Sequence, residues 1–234
     1  MTEPLNTIRV LLVDDQSLIR AGFAMVIDSQ PDMSVVAQAG TGHEAITETQ
    51  QQRPDVILMD IRMPVLDGIA ATERILTDGD AGCLHPPKII VLTTFDTDEY
   101  ALQALRAGAS GFLLKDTEPE VLLESIRNVV TGGAVVAPTT TRRLLNSTIL
   151  SAPEMVPDAR QQELLDSLTR REKEILQEMA TGASNTEIAS HLFVSESTVK
   201  THVRHILIKL DARDCVQAVV FAYDSGLVAP QSSS

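Results

Sequence analysis

Long apolar runs, cysteines and large aromatic side chains are scarce in this chain of 234 residues. No run approaches the ~18 apolar residues of a membrane-spanning helix, and residues 1–7 lack the basic start and apolar stretch of a secretion signal. The two cysteines, Cys83 and Cys215, belong to no CxxC or Cys/His pattern, so neither a disulfide framework nor a zinc site is predicted. We therefore expect a soluble protein of a reducing compartment, the cytoplasm.

Basic residues are also few, with 19 Lys and Arg against 32 Asp and Glu and a net charge of −13. This balance argues against nucleic-acid binding by the chain as a whole, but the charge is unevenly spread. Residues 1–131 hold nine basic and 20 acidic side chains, whereas residues 168–234 hold seven and eight, with three of the five histidines. The asymmetry predicts two domains with different partners.

In the first half, short apolar runs alternate with amphipathic stretches. The runs are Ile8–Val13, Val35–Ala39, Val56–Met59, Ile89–Leu92 and Gly111–Leu114. Helical spacing fills the intervals at 17–29, 44–52, 69–76, 98–106 and 120–130. Fully apolar strands that alternate with helices predict an α/β domain over residues 1–131, with a doubly wound, five-stranded parallel sheet covered on both faces.

The second half changes in character. Pro138, Pro153 and Pro157 indicate a linker over residues 132–166, with a short helix possible at 144–150. Over residues 167–234 the apolar spacing is helical throughout and predicts an all-α domain of four helices.

Polar side chains follow four of the five predicted strands. Asp14 and Asp15 follow the first strand, Asp60 the third, Thr93 the fourth and Lys115 the fifth. In an open parallel sheet, ligands bind at this carboxyl edge. Three neighbouring carboxylates repel one another unless a cation lies between them, and an oxygen-only site suits Mg²⁺. The pattern predicts a magnesium site where a carboxylate accepts a phosphoryl group that a hydroxyl and an ammonium then hold.

Each of these residues also has a purely structural interpretation. Asp14 and Asp15 could cap the next helix, Asp60 could be a turn residue, and Lys115 could be a solvated lysine. Their joint arrangement, each at a strand end, favours the site.

A helix-turn-helix is predicted by Thr186–His191, a turn over Leu192–Ser195, and a helix over Glu196–Leu210. Its second helix has core-facing residues at Val199, Val203, Ile206 and Leu210. The polar face carries the candidate DNA contacts, namely Ser197, Thr198, Lys200, Thr201, Arg204, His205 and Lys209. Basic side chains can reach guanine edges or phosphates, threonine can touch a thymine methyl, and the helix N-terminus can meet a phosphate. A merely solvated basic face is the alternative.

Four motifs in residues 8–131 resemble the receiver domain of two-component response regulators. They are Leu12-Val13-Asp14-Asp15, LMDIRMPVLDG at 58–68, VLTT at 91–94 and GASGFLLK at 108–115. The resemblance implies a flavodoxin-like fold with Asp60 as the phosphoacceptor. It implies that Mg²⁺ is bound by Asp15, Asp60 and the Arg62 main-chain carbonyl, with Asp14 in support. It also implies that Thr93 and Lys115 bind the phosphoryl group and that Phe112 is an aromatic switch. The segment 78–87 is longer than usual.

A second resemblance covers residues 168–228. LTRRE at 168–172, EIA at 187–189 and LFVSESTVKTHV at 192–203 are similar to the LuxR-type helix-turn-helix. The whole chain is thus identified as a member of the NarL/FixJ family. Membership implies a sensor histidine kinase as partner, dimerisation on activation, and sequence-specific binding to repeated promoter half-sites. Cys215 replaces the arginine usual at its position, which puts one phosphate contact in doubt.

Two other functions fit the residues less well. A magnesium-dependent phosphohydrolase usually has a second aspartate two residues after its nucleophile, where this chain has Arg62. A regulator that binds a small lipid-like signal needs aromatic pocket walls, but the first domain has a single tyrosine, Tyr100, and the chain has no tryptophan. We expect no catalytic residues and at most slow autodephosphorylation.

The apolar positions of the last predicted helix, among them Val216, Val219 and Tyr223, fit either a dimer surface or a core.

Overall fold

The computed structural model describes residues 7–79, 86–94, 98–130 and 159–228. The chain forms two compact units, divided between residues 135 and 136. The helix predicted at 144–150 and the linker prolines Pro138, Pro153 and Pro157 lie outside the described residues, as do residues 80–85 of the long 78–87 segment.

The first unit is built on five parallel strands. They are β1 (Ile8–Val13), β2 (Met33–Ala39), β3 (Val56–Asp60), β4 (Lys88–Thr93) and β5 (Gly111–Leu114). Their order in the sheet is β2-β1-β3-β4-β5, and every neighbouring pair is parallel. This confirms the predicted fold class. The order reverses direction at β1, which opens a crevice between the carboxyl ends of β1 and β3.

Helices occupy the intervals between the strands. They are α1 (Ser17–Asp28), α2 (Gly42–Gln52), α3 (Gly68–Gly79), α4 (Asp98–Arg106) and α5 (Pro119–Val130). All five residues of the central strand β3 are buried. A main core cluster includes Val10, Leu58 and Ile90 from the sheet and Ile126 from α5, each fully buried. Burial of this kind explains why the strands are apolar runs rather than alternating patterns.

The loop from β3 to α3 is tightly packed under Asp60. The Gly68 N–H donates a hydrogen bond to the Ile61 carbonyl at 2.9 Å. A Cβ atom at Gly68 would lie 1.9 Å from the main-chain oxygen of Asp60. Glycine is therefore required where α3 begins, because any side chain would push the end of β3 away.

The second unit is helical in its described residues, 159–228. Its helices are α6 (Ala159–Ser167), α7 (Arg170–Ala180), α8 (Asn185–His191), α9 (Glu196–Leu210) and α10 (Cys215–Asp224). The last four confirm the predicted helices. The sequence did not predict α6, which overlaps the proposed linker over residues 159–166 and has only two leucines to mark a buried face. Across the described ranges, each helix is too short or too polar to cross a bilayer.

Side-chain caps start the helices of this unit. Thr169 and Glu172 form a capping box at α7, and Ser184 and Glu187 form another at α8. Ser195 accepts a hydrogen bond from the Thr198 N–H at 3.1 Å at the start of α9. Each cap satisfies N–H groups that the helix itself leaves without a partner, and typically stabilises the fold by about 1 kcal/mol.

Substitution of Gly68 tests the packing of the β3–α3 loop. We expect Gly68→Ala to destabilise the first unit by about 1–3 kcal/mol, the usual cost of overpacking. Differential scanning calorimetry of the full chain would measure the loss. The control is Gly22→Ala on α1, where a Cβ meets nothing within 4 Å and should stabilise the helix by about 0.5–1 kcal/mol. Equal effects of the two substitutions would contradict the packing argument.

Candidate functional site

The carboxyl edge of the sheet brings the predicted side chains together. One carboxylate oxygen from each of Asp14, Asp15 and Asp60 lies within 4.8 Å of the other two. Asp14 and Asp60 are buried, with 2 % and 3 % of their surface exposed, whereas Asp15 is exposed. Thr93, at the end of β4, is also buried. The three acids thus form a cluster with two buried members and one that faces solvent.

Lys115 is the cation of this cluster. Its Nζ lies 2.6 Å from Asp14 Oδ2 and 2.9 Å from Asp60 Oδ2, and its side chain is 6 % exposed. The Lys115 N–H donates to the Thr93 carbonyl at 2.8 Å, so the pairing of β4 and β5 continues to the site. This pairing positions the Lys115 side chain beside the carboxylates. The side chain joins the ends of three strands, β1, β3 and β5.

Burial sets the protonation of the paired groups. Desolvation raises the pKa of Asp60, the charge of Asp14 raises it further, and Lys115 opposes both. Desolvation acts to lower the pKa of Lys115, but hydrogen bonds to Asp14 and Asp60 outweigh it, and the net shift is upward. Lys115 therefore remains an ammonium at neutral pH and compensates part of the buried negative charge.

The main chain orients both buried acids. Asp14 Oδ1 accepts a hydrogen bond from the Gln16 N–H at 2.8 Å, and the Arg20 guanidinium donates to the Asp14 carbonyl. Asp60 Oδ1 accepts from the Arg62 N–H at 3.4 Å. Asp14 thus orders the turn before α1, while its Oδ2 contacts Lys115. The N-cap residue of α1 is Gln16 and no side chain caps this helix, so the structure does not support the interpretation of Asp14 and Asp15 as helix caps.

A groove of about 680 Å³ borders the acidic cluster. Its lining includes Asp15, Arg62, Glu73, Tyr100 and Gln103. The Arg62 guanidinium carbon lies 5.4 Å from the centroid of the Tyr100 ring, within the range of a cation–π contact. Sequence reasoning missed this pair, because no local pattern links the β3–α3 loop to α4.

The predicted aromatic switch, Phe112, lies on β5, the strand that pairs with β4. Phe112 pairs with Val91 in the β4–β5 register and is 3 % exposed. Its side chain is buried inside the unit, and its pairing partner Val91 lies two residues before Thr93 on β4.

In the second unit, α9 has the two faces that its sequence predicts. Val199, Val203, Ile206 and Leu210 are buried. Ser197, Lys200, Thr201, Arg204 and His205 are exposed, and Thr198 is half-buried. The exposed residues lie on one side of the helix, so the structure brings six of the seven candidate contacts together.

Local hydrogen bonds order the start of this face. The Ser195 hydroxyl lies 2.8 Å from the Ser197 hydroxyl and 2.7 Å from that of Thr198. Thr201 Oγ1 donates to the Ser197 carbonyl at 2.9 Å. Lys200 pairs with Glu196 at 2.7 Å, but both side chains are well exposed and the pair is weak.

Lys209 is set apart from the other candidates. Its Nζ lies 2.7 Å from Glu172 Oε2 and 3.2 Å from the Ser167 carbonyl. Glu172 is buried, so Lys209 joins the end of α9 to the capping box of α7. Its charge is already compensated inside the unit, which a pattern read along α9 alone does not reveal.

The apolar stripe of α10 packs within its own unit. Val216, Val219 and Val220 are buried, and the Tyr223 hydroxyl donates to the Ala180 carbonyl at 3.0 Å. Of the two interpretations of this stripe, the core is the one that the structure supports. Cys215 is the first residue of the helix and is half-buried, next to Asp214, which accepts from the Gln217 N–H at 3.1 Å.

Two family models match this chain. Residues 10–127 match the response regulator receiver domain, and residues 166–222 match the luxR family of bacterial regulatory proteins. The first match contains the whole acidic cluster, and the second contains α7 to α9. Both resemblances found in the sequence are thereby confirmed.

Known proteins are similar to this chain over nearly its whole length. An uncharacterised transcriptional regulatory protein YxjL of Bacillus subtilis (strain 168) is 48 % identical over 95 % of this chain and 98 % of its own length. The transcriptional regulatory protein LiaR of the same organism is 38 % identical over 94 % and 99 %. The crystal structure of the response regulator ChrA, from a heme-sensing two-component system, is 35 % identical and covers 96 % of this chain and 100 % of its own, with a TM-score of 0.50.

Relatives that match over nearly their full length are transcription regulators rather than typical enzymes. The acidic cluster lies in the receiver match and the helix-turn-helix in the luxR match. This chain therefore belongs to the two-component response regulators of the NarL/LuxR type, transcription regulators in which a receiver domain precedes a LuxR-type DNA-binding domain.

Proposed function

We propose that Asp60 is the phosphoacceptor, which a sensor histidine kinase phosphorylates to control DNA binding by the second domain. One observation carries the proposal: Asp60 is buried at the end of β3, yet its Oδ2 lies 2.9 Å from the Lys115 ammonium and its neighbours are the oxygens of Asp14 and Asp15. A carboxylate placed between fixed cationic and oxygen-rich groups is suited to receive and hold a phosphoryl group.

The acidic cluster fits Mg²⁺ in the chemistry of its donors. Its ligands are all oxygens, and the exposed Asp15 leaves room for the water molecules that Mg²⁺ retains. Asp15, Asp60 and the main-chain carbonyl of Arg62 would hold the ion, with Asp14 in support. When bound, the ion withdraws charge from the transferring oxygens.

The protein's own residues would then respond to the new charge. Phosphorylation adds about −1.5 to −2 charges at neutral pH, so the Lys115 ammonium has a stronger partner than the Asp60 carboxylate. Thr93 Oγ1 would donate to a phosphoryl oxygen, and Phe112 would follow the movement of Thr93. Slow attack by water on the acyl phosphate would give at most weak autodephosphorylation.

The DNA interface proposed here is the exposed side of α9. Lys200, Arg204 and His205 would contact base edges or phosphates, and Ser197, Thr198 and Thr201 would contact phosphates or a thymine methyl. We place the receiver at residues 1–131, the linker at 132–166 and the DNA-binding domain at 167–234. Lys209 would act indirectly, by fixing α9 on α7. Activated molecules would bind repeated half-sites as dimers.

The phosphoacceptor is tested by Asp60→Asn. We expect this variant to take up no phosphate from a small acyl-phosphate donor with Mg²⁺, because the amide cannot form the acyl phosphate. Intact-mass spectrometry measures the uptake. The matched control is Asp116→Asn, an exposed aspartate next to Lys115, which should be phosphorylated like the wild type. Phosphate on the Asp60→Asn chain would place the acceptor elsewhere.

The raised pKa of Asp60 predicts a pH-dependent stability. Burial makes its ionised form unfavourable, so the stability that the protonated carboxyl contributes is lost as pH rises through the folded pKa, which lies above the ordinary value of 3.8. Without Mg²⁺, Asp60→Asn should therefore raise the melting temperature of the receiver at pH 7. The gain should shrink as pH falls towards the folded pKa. A lower melting temperature at pH 7 would show that the pairing with Lys115 outweighs desolvation.

Arg204 tests the DNA interface. Arg204→Ala should weaken binding to a selected duplex by about 1–3 kcal/mol if the guanidinium reads a base. If it contacts only a phosphate, the slope of the logarithm of the binding constant against the logarithm of the salt concentration should instead become shallower by about one unit. Fluorescence anisotropy over a range of salt distinguishes the two. Arg160 is an exposed arginine on α6, so Arg160→Ala is the charge-matched control. An equal loss of DNA affinity in this control would mean that Arg204 acts only through the net charge of the domain.

A further inference from the structure

Three potential metal ligands meet inside the DNA-binding domain. They are Glu172 on α7 and His202 and His205 on α9, and one ligand atom from each lies within 4.8 Å of the other two. His202 and His205 are three positions apart on the helix, which places their rings on the same face. Glu172 is buried, His202 half-buried and His205 exposed, so the cluster extends from the core to solvent.

His202 carries an unsatisfied atom. Its Nδ1 is buried and has no hydrogen-bond partner among the described residues. A buried polar atom without a partner costs about 1–3 kcal/mol. An ion bound to Nδ1 would remove that cost, because the buried nitrogen would then have a partner for its lone pair.

Hydrogen bonds fix the orientation of the Glu172 carboxylate, as they do for carboxylates that bind metals. Its Oε2 accepts hydrogen bonds from Thr169 N at 2.7 Å, Thr169 Oγ1 at 2.8 Å and Lys209 Nζ at 2.7 Å. None of these three contacts uses Oε1. Hydrogen bonds from outer groups orient ligating side chains and add to metal affinity. Lys209 therefore positions the carboxylate and leaves one oxygen for a ligand.

We propose that Glu172, His202 and His205 form a Zn²⁺ site, with water in the fourth position. Two imidazoles and a carboxylate are a ligand set that zinc takes in tetrahedral geometry, with bonds of about 2.0–2.2 Å. The three side chains would close on the ion by small rotations, since His205 is exposed at the surface. Mg²⁺ prefers oxygen ligands, so the two metal sites of the chain differ in selectivity.

Zinc at this site would connect the start of α7 to the middle of α9. It would also withdraw the His205 ring from the exposed face of α9. If the proposed DNA interface is correct, DNA binding becomes sensitive to zinc. The zinc site itself does not depend on that interface, and its test uses metal binding alone.

The experiment is metal titration of the full chain with saturating Mg²⁺, which occupies the acidic cluster. Co²⁺ serves as a spectroscopic probe, because tetrahedral nitrogen and oxygen sites absorb far more strongly in the visible than six-coordinate oxygen sites. We expect an intense Co²⁺ spectrum that Zn²⁺ abolishes. We also expect Zn²⁺ to raise the melting temperature of the second unit, since a ligand that binds only the folded state stabilises it.

Single histidine variants decide the assignment. His205→Asn and His202→Asn should each lower the zinc affinity by about tenfold or more. His205 is exposed, so its variant should fold normally even if the His202 variant does not. The matched control is His191→Asn on α8, an exposed histidine 2.8 Å from Glu178, which should bind zinc like the wild type. The proposal is wrong if wild type shows no tetrahedral spectrum, or if His205→Asn binds zinc as tightly as wild type.

Discussion

The ion pairs of one lysine hold the functional edge of the receiver together. Lys115 Nζ lies within 2.9 Å of both Asp14 and Asp60, whose buried carboxylates would otherwise repel each other across the crevice between β1 and β3. Breaking a buried pair leaves an uncompensated charge and is costly. Lys115 compensates only part of the negative charge of the three carboxylates, so a phosphoryl group or a divalent cation would change the electrostatic balance of the site. A site whose charges are only partly compensated is suited to act as a switch.

The DNA-binding domain depends on a different kind of interaction, the anchoring of helix ends. Capping boxes start α7 and α8, and Lys209 ties the end of α9 to Glu172 in the first of these boxes. The buried valines and isoleucine of α9 then fix its rotation, so the polar side faces outward. Because the orientation of α9 is set by core packing, changes on its exposed side should alter binding with little effect on folding.

Local patterns predicted most of the fold, and long-range contacts account for what they missed. The strand limits of β1 and β5 and the helix limits of α9 agree with the prediction, since apolar period and N-cap signals mark them. The five site residues at strand ends were predicted because parallel strands share one carboxyl edge. Helix α6, the pairing of Lys209 with Glu172 and the cation–π contact of Arg62 with Tyr100 were missed. Each depends on a partner that sequence spacing does not reveal.

The proposed function depends on control of DNA binding by the charge at Asp60. Sequencing of genomic fragments captured by the protein with Mg²⁺ tests this control in three samples: beryllofluoride-treated wild type, untreated wild type and Asp60→Ala. We expect discrete fragments that share a repeated half-site and are enriched only with treated wild type. Equal enrichment in all three samples would contradict control by the receiver, and no enrichment in any sample would contradict the DNA interface itself.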